Sequence, residues 1–281
     1  MHAPNQISLA AKASGEPEFR EIGLGPWSET HPGEPRPDDP TSSNYDGRFD
    51  SVLLNDGDRR NVLDRYRYWT VAAIKADLDA RGRHDFEVAV ENWTHDFNIG
   101  SMVRTANAFQ AKRVHIVGPH KWNRKGALMT ELYQHVEHHP SIAELVESWH
   151  HRIAGEIAYE RAKAGAAVHA HDVAVDGDNK HLHELLAEID ACDARIKELQ
   201  AARVIALDII PGAVPMEAYA FPKRCLLLFG AEGPGLSEKA LALADDVVYI
   251  SQFGSVRSIN AGAAAAVAMH AWIAQHAVSG V

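Results

Sequence analysis

The chain is poor in cysteine: Cys192 and Cys225 are the only two in 281 residues. They offer no disulfide framework and no metal-ligand spacing. It also lacks a long hydrophobic run. No window approaches the roughly 18 consecutive apolar residues of a membrane span, and Met1 to Gly15 shows no basic-then-apolar leader pattern. A cytoplasmic protein without membrane contact is expected. Positive charge is scarce too. The net charge is −10, whereas a general nucleic-acid binder carries a basic field.

The sequence does contain enough apolar residues, 46% of the chain, to bury a sizeable core. The length suits one large domain, or one domain plus an extension. The acidic excess is uneven. Residues 1–57 hold ten acidic and four basic side chains and many of the thirteen prolines. Glu34-Pro-Arg-Pro-Asp-Asp-Pro40 cannot form a regular element. Residues 1–57 are therefore expected to be an acidic, Pro-rich tail or arm. Val62, Tyr66 and Trp69, then Val71, Ile74 and Leu78, recur at helical spacing up to Gly82. A helical extension over 58–85 is expected from them. Basic clusters with interleaved aromatics follow the arm: Arg59, Arg60, Arg65 and Arg67 near Tyr66, Tyr68 and Trp69, then Lys112-Arg113, then Lys121, Arg124 and Lys125 near Trp122. Bases plus aromatics suit phosphate contact and base stacking, or else a solvated surface over a core aromatic.

From Phe86 onward the rhythm is α/β. Strands are expected at Phe86–Val90, Arg113–Val117, Ala166–His171, Val204–Leu207, Arg224–Phe229 and Val247–Ile250. Helices are expected at Ile99–Phe109 and Ser141–Lys163. Short apolar strands alternating with helices predict a mostly parallel sheet with helices on both faces. The charged, Ala- and His-rich stretch from about 164 to 202 reads as an inserted helical segment within a domain spanning 86–281. In such sheets ligands sit beyond the carboxyl ends of the strands, which selects the loops after Val90, Leu207, Phe229 and Ile250.

Three of these loops carry chemistry. The first runs from Glu91 to Arg104 and opens a helix near Asn98 and Ser101. Arg104 falls about one and a half turns into that helix, where an Arg reaches a phosphate or an electronegative reaction centre, or makes a surface salt bridge. The second loop is Phe229-Gly-Ala-Glu-Gly-Pro-Gly-Leu-Ser237. Gly230 and Gly235 have P-loop spacing, but Leu236 stands where the phosphate-binding Lys belongs, so triphosphate binding is not expected. The third runs from Ile250 through Ser251 and Gly254 to Ser258-Ile259-Asn260 and an alanine-rich helix.

In order and spacing these loops resemble the three motifs of the SpoU (TrmH-like) branch of the SPOUT methyltransferases. Asn98, Arg104, Thr105 and Ala106 match the first motif. Gly230, Glu232, Gly235, Leu236 and Ser237 match the second. Ile250, Gly254, Ser258, Ile259 and Asn260 match the third. The resemblance covers roughly residues 86–276. Two positions depart from it: Ser251 replaces the usual Pro, and Ala261-Gly262 replaces a commoner Val-Ser.

The resemblance implies a C-terminal trefoil knot, an exception to the rule that chains do not thread their own loops. It implies an S-adenosylmethionine pocket at Asp208, Gly230, Gly235, Ile250, Ser251, Ile259 and Ala261, and a homodimer packed through the last helix. It implies transfer of a methyl group to a ribose 2′-hydroxyl of tRNA or rRNA. Arg104 would be the catalytic residue, Asn98 and Asn260 would position it and the ribose, Ser258 would fix the loop or touch phosphate, and Glu232 would organise the pocket. Lys112, Arg113, Lys121, Arg124 and Lys125 would form a local basic track for RNA. The alternative is a non-catalytic RNA-binding or assembly protein that keeps the knotted fold.

Seventeen histidines invite a metal reading, with His138-His139, His150-His151, His169, His171, His181 and His183 in short clusters. None continues along the chain with the further ligands such sites require, so no metal is expected.

Overall fold

The computed structural model describes residues 5–16, 22–93, 98–173 and 179–277. They divide into two units, Met1–Ile74 and Lys75–Val281. The boundary at Ile74 coincides with neither edge of the 58–85 extension expected from the sequence.

The first unit holds α1 (Gln6–Ala13), α2 (Trp27–Thr30) and α3 (Ser51–Asp56). Trp27, Leu54 and Tyr68 form a small buried cluster, flanked by Phe49 and Leu53. Trp27 stacks on His31 at 3.7 Å and meets Tyr68 edge-on at 5.8 Å. The helical periodicity from Val62 to Trp69 is not used as a helix. Asp58, fully buried, accepts from Arg60 Nε at 2.9 Å and from the Tyr68 backbone N–H at 2.9 Å. Such side-chain bonds offer the backbone an alternative to a helix. Between α3 and α4 (Val71–Ala80) the helical content is one short turn at Asp64–Tyr66.

Burial pushes the Asp58 carboxyl up, but the Arg60 side chain and the backbone N–H groups of Arg60 and Tyr68 outweigh it and hold the group below its ordinary value. Asp58 therefore stabilises the fold above the unfolded carboxylate value of about 3.9 and loses that contribution as pH falls further. Asp58→Asn should destabilise the first unit by about 3–5 kcal/mol at neutral pH, the cost of breaking a buried pair. Hydrogen exchange of residues 50–70 measures it, and the difference from the parent should shrink in acid.

The second unit is built on a seven-stranded sheet: β1 (His84–Glu91), β2 (Ala111–Val117), β3 (Val136–His139), β4 (Arg203–Leu207), β5 (Val214–Pro215), β6 (Cys225–Phe229) and β7 (Asp246–Tyr249). The spatial order is β3-β2-β1-β6-β4-β7-β5. Every pairing is parallel. The helices are α5 (Ile99–Ala108), α6 (Ile142–Val173), α7 (Asn179–Gln200), α8 (Glu238–Leu243) and α9 (Ala261–His276).

Strand side chains alternate between two cores. Phe86, Val88 and Val90 pack with Ile99, Met102, Val103 and Ala106 of α5 and with Ala265, Met269 and Trp272 of α9. Ala89, Val204, Ala206, Leu226 and Leu228 pack with Leu145, Val146 and Trp149 of α6, Leu199 of α7 and Ala240 of α8. Each fully buried large side chain contributes about 1.5–3 kcal/mol of transfer free energy. The α/β architecture with helices on both faces is therefore as the sequence implied.

One local expectation needs correction, and two strands were unforeseen. Ala166–His171 is no strand but the end of the 32-residue helix α6. Alanine is the best helix former, and Val168 is 43% exposed, so no apolar face calls for a sheet. The charged segment from 164 is accordingly a continuation of α6 that turns back as α7, the two helices joined by Lys163–Glu188 at 3.2 Å. β3 and β5 were not anticipated, because they are short edge strands without an apolar run.

Candidate active site

The carboxyl ends of the central strands converge on a cavity of about 440 Å³. The loop after β4 contributes Asp208 and Ile209, the loop after β6 contributes Gly230 to Gly235, and the segment after β7 contributes Ile250, Gln252, Arg257, Ser258 and Ile259. Ala261 and Ala264 of α9 close it. A volume of this size lies in the ordinary range for a small-molecule pocket.

The glycine loop is a tight curl. A Cβ on Gly230 would run into the backbone of Gly235 and Leu236, so only glycine lets the two arms touch. Gly235 N–H donates to Ala231 O at 3.1 Å across the curl. Asp208 fastens it from the side, accepting from Leu236 N–H at 3.2 Å. Glu91, buried at the end of β1, accepts from Ser237 N–H at 2.7 Å and Ser237 Oγ at 2.8 Å. Ser237 in turn caps α8 through Ala240 N–H at 3.1 Å.

The three sequence-selected loops meet at Glu232. Asn98 Nδ2 donates to Glu232 Oε2 at 2.6 Å, and Asn260 Nδ2 donates to Asn98 Oδ1 at 2.9 Å. The Ala261 backbone N–H adds a bond to Glu232 Oε2 at 3.1 Å. Asn260 Oδ1 also caps α9, accepting from Ala263 N–H at 3.1 Å. Its two functions fit together because the amide has separate donor and acceptor ends. Gly262 explains one departure from the usual motif: a Cβ there would sit 3.2 Å from Asn260 Oδ1 and 3.4 Å from Asn98 Oδ1, crowding the pair.

Arg104 lies on the exposed side of α5. Among the described residues it makes no hydrogen bond or ion pair, so no described carboxylate neutralises it. Residues 94–97 of its loop lie outside the described residues. Ser251 stands apart from the cavity wall: its N–H and Oγ donate to Glu217 at 3.3 and 2.9 Å. The thiol of Cys225 is pushed up by complete burial, which removes it as a nucleophile.

The five basic positions separate into two groups. Lys112 and Arg113 begin β2, at the opposite end of the sheet from the loops, and are held by Asp85 at 3.2 Å and Glu137 at 2.7 Å. Arg124 and Lys125 are exposed on a short turn that packs against α5. Gly100 allows that approach, since a Cβ there would lie 2.8 Å from Asn123 O. The Arg124 guanidinium sits 5.8 Å from the Trp122 ring centre. Lys121 is exposed and precedes Trp122. The structure thus brings Arg124 and Lys125 alongside α5, with Lys121 shortly before that turn, and places Lys112 and Arg113 at the other end of the sheet.

Sequence reasoning missed Glu91, Gln252 and Arg257. A Glu ending an apolar strand was a usable signal for the first. Gln252 and Arg257 sit in an irregular loop where only the folded backbone shows which side chains turn inward.

Residues 157–270 match the SpoU rRNA Methylase family. That span includes the glycine loop and the Ile250–Asn260 segment but neither Asn98 nor Arg104. A tRNA (guanosine(18)-2′-O)-methyltransferase of Saccharomyces cerevisiae is 31% identical over 107 residues, 37% of this chain and 8% of the relative. A protein of the same name from Thermus thermophilus is 51% identical over 47 residues, 17% of this chain and 24% of the relative. The matches therefore span less than a quarter of either relative's length. Among solved structures, a SpoU methyltransferase from Streptomyces viridochromogenes in complex with AdoMet is 23% identical, covering 69% of this chain and 58% of that one at a TM-score of 0.45.

Proposed function

We propose that this chain, a member of the SpoU methylase family, transfers a methyl group from S-adenosylmethionine to a ribose 2′-hydroxyl of RNA. The observation that carries this reading is the junction at Glu232, which ties the cavity wall to Asn98 and Asn260. A cofactor pocket and the helix bearing Arg104 are thereby held in one frame.

The cavity suits the cofactor. Its wall is largely backbone and small side chains at Gly230, Gly235, Ile250, Ile259 and Ala261, which recognise an adenosine by close approach. S-adenosylmethionine supplies a methyl group on a positively charged sulfur, which leaves as a thioether. The chain's own task lies with the hydroxyl. Its oxygen must be aligned with the methyl carbon, and its proton must pass to water or to an RNA phosphate as the new bond forms. A guanidinium stays protonated at any working pH. Arg104 accordingly acts by donating hydrogen bonds to the oxygen as negative charge develops on it. Asn98 and Asn260 position the ribose, and Ser258 steadies the loop.

The curated relatives are named for tRNA, which makes tRNA the first RNA to test. Lys121, Arg124 and Lys125 form the track that holds it. Replacing Arg124 and Lys125 by Gln should weaken RNA binding and flatten the slope of log affinity against log salt by about 1.5–2. Anisotropy titrations over a salt series measure this, and an unchanged slope removes both residues from the track.

A trefoil knot and a homodimer belong to the same reading. Ala263, Val267, His270 and Ala274 form an exposed stripe of mostly small apolar residues along α9, suited to close packing against a second copy. The enzymatic reading is tested by incubating the protein with methyl-labelled cofactor and total tRNA or rRNA. Label should enter one pool. Tight cofactor binding with no label in either would favour a non-catalytic RNA-binding or assembly protein.

A further inference from the structure

Metal ligation was not expected, because no histidine cluster continues along the chain with further ligands. The sheet supplies them from separate strands. In the β2–β3 register His115 pairs with Glu137, and Val117 with His139. His115, Glu137 and His139 therefore share one face of the sheet. His115 Nδ1 lies 3.0 Å from His139 Nε2 and 3.5 Å from Glu137 Oε2, and His139 Nε2 lies 3.8 Å from the same oxygen. Three ligands at zinc-like bond lengths of about 2.0–2.1 Å in a tetrahedron stand about 3.3 Å apart. The observed triangle brackets that value.

The far sides of both rings are also arranged. His115 Nε2 meets Glu87 Oε2 at 2.7 Å, and His139 Nδ1 meets Glu144 Oε2 at 2.6 Å. A carboxylate behind each imidazole fixes which nitrogen faces inward and raises its donor strength, as in protein zinc sites. Glu87 is itself held by Arg224 at 2.7 Å and Arg152 at 3.3 Å. Glu137 is steadied by Arg113 at 2.7 Å and Arg152 at 3.4 Å. His115 is fully buried, while Glu137 is 36% exposed, so an ion has an entry path and room for a water as fourth ligand.

We propose that His115, Glu137 and His139 bind a single divalent transition metal ion of the zinc type. The ion takes the place of the hydrogen that otherwise joins the two rings. Two nitrogens and one carboxylate oxygen favour zinc-like ions over calcium or magnesium. Its work is structural: it staples the short edge strand β3 to β2 and, through Glu144, to α6. This site stands independently of the methyl-transfer reading.

The test uses the untagged full chain, stripped with chelator and titrated with Zn²⁺ against a chromophoric competitor. The parent should take up one tight equivalent and gain thermal stability. Glu137→Gln, at the exposed ligand, should lose that equivalent and melt at the same temperature with and without Zn²⁺. Glu144→Gln should weaken binding by about 10–100-fold, the usual cost of removing a carboxylate behind a metal-bound histidine. Co²⁺ in place of Zn²⁺ should give a tetrahedral visible spectrum in the parent and not in Glu137→Gln. A parent without a tight equivalent, or a Glu137→Gln protein that binds as the parent does, overturns the proposal.

Discussion

Arg104→Ala should slow methyl transfer by about 10²–10³-fold while leaving cofactor affinity unchanged. The two halves of this result come from different parts of the structure. Arg104 is not in the cavity wall, so its loss removes no cofactor contact. It lies on the helix that begins at Asn98, whose side chain is bonded to Glu232 and Asn260. Removing one donor aimed at a developing oxyanion costs about 10²–10³ in kcat. Arg104→Lys should recover little of this, because a point charge does not replace a planar fork of donors. Single-turnover rates with saturating cofactor, together with calorimetric cofactor binding, separate the two effects. A turnover rate within a few-fold of the parent would take the catalytic role away from Arg104.

Gly230→Ala should have the converse effect and strip the protein of its cofactor site. The added carbon meets backbone on the opposite arm of the curl, which cannot rotate away as a side chain could. The loop must open, and the Gly235–Ala231 and Leu236–Asp208 bonds go with it. Overpacking of this kind costs about 1–3 kcal/mol, equivalent to about fivefold to 150-fold in cofactor affinity. Gly233→Ala is the internal control. That glycine has φ +93° but nothing within 4 Å of an added Cβ, so it should show backbone strain without a clash. Equal loss in both variants would show that the curl is not what shapes the pocket.

The sheet was legible wherever a strand has a run of apolar residues, on one face as in Phe86–Val90 or on both as in Cys225–Phe229. It was illegible at β3, where His138 and His139 follow no apolar run and the groups that bury His139 lie on another strand and on α6. Helix α6 misled at Ala166–His171, since a short run of small apolar residues fits either periodicity. The site was legible through Asn98, Glu232 and Asn260, which no ordinary loop spacing requires. At Glu91 the sequence carries only the signal of a Glu ending an apolar strand, because its partner Ser237 lies 146 residues away. Lys112 and Arg113 belong to the basic track expected from the sequence, and the strand direction puts them at the end of the sheet away from the loops. Charge patterns on a sequence carry no information about which end of a strand faces the ligand.

The most direct measurement of the central claim is the chemical position of the transferred methyl. RNA labelled by the protein can be digested with alkali, which needs a free 2′-hydroxyl to cut the chain. Label is expected in alkali-resistant dinucleotides that yield a 2′-O-methyl nucleoside on full enzymatic digestion. Label recovered in an alkali-sensitive, base-methylated nucleotide would contradict it.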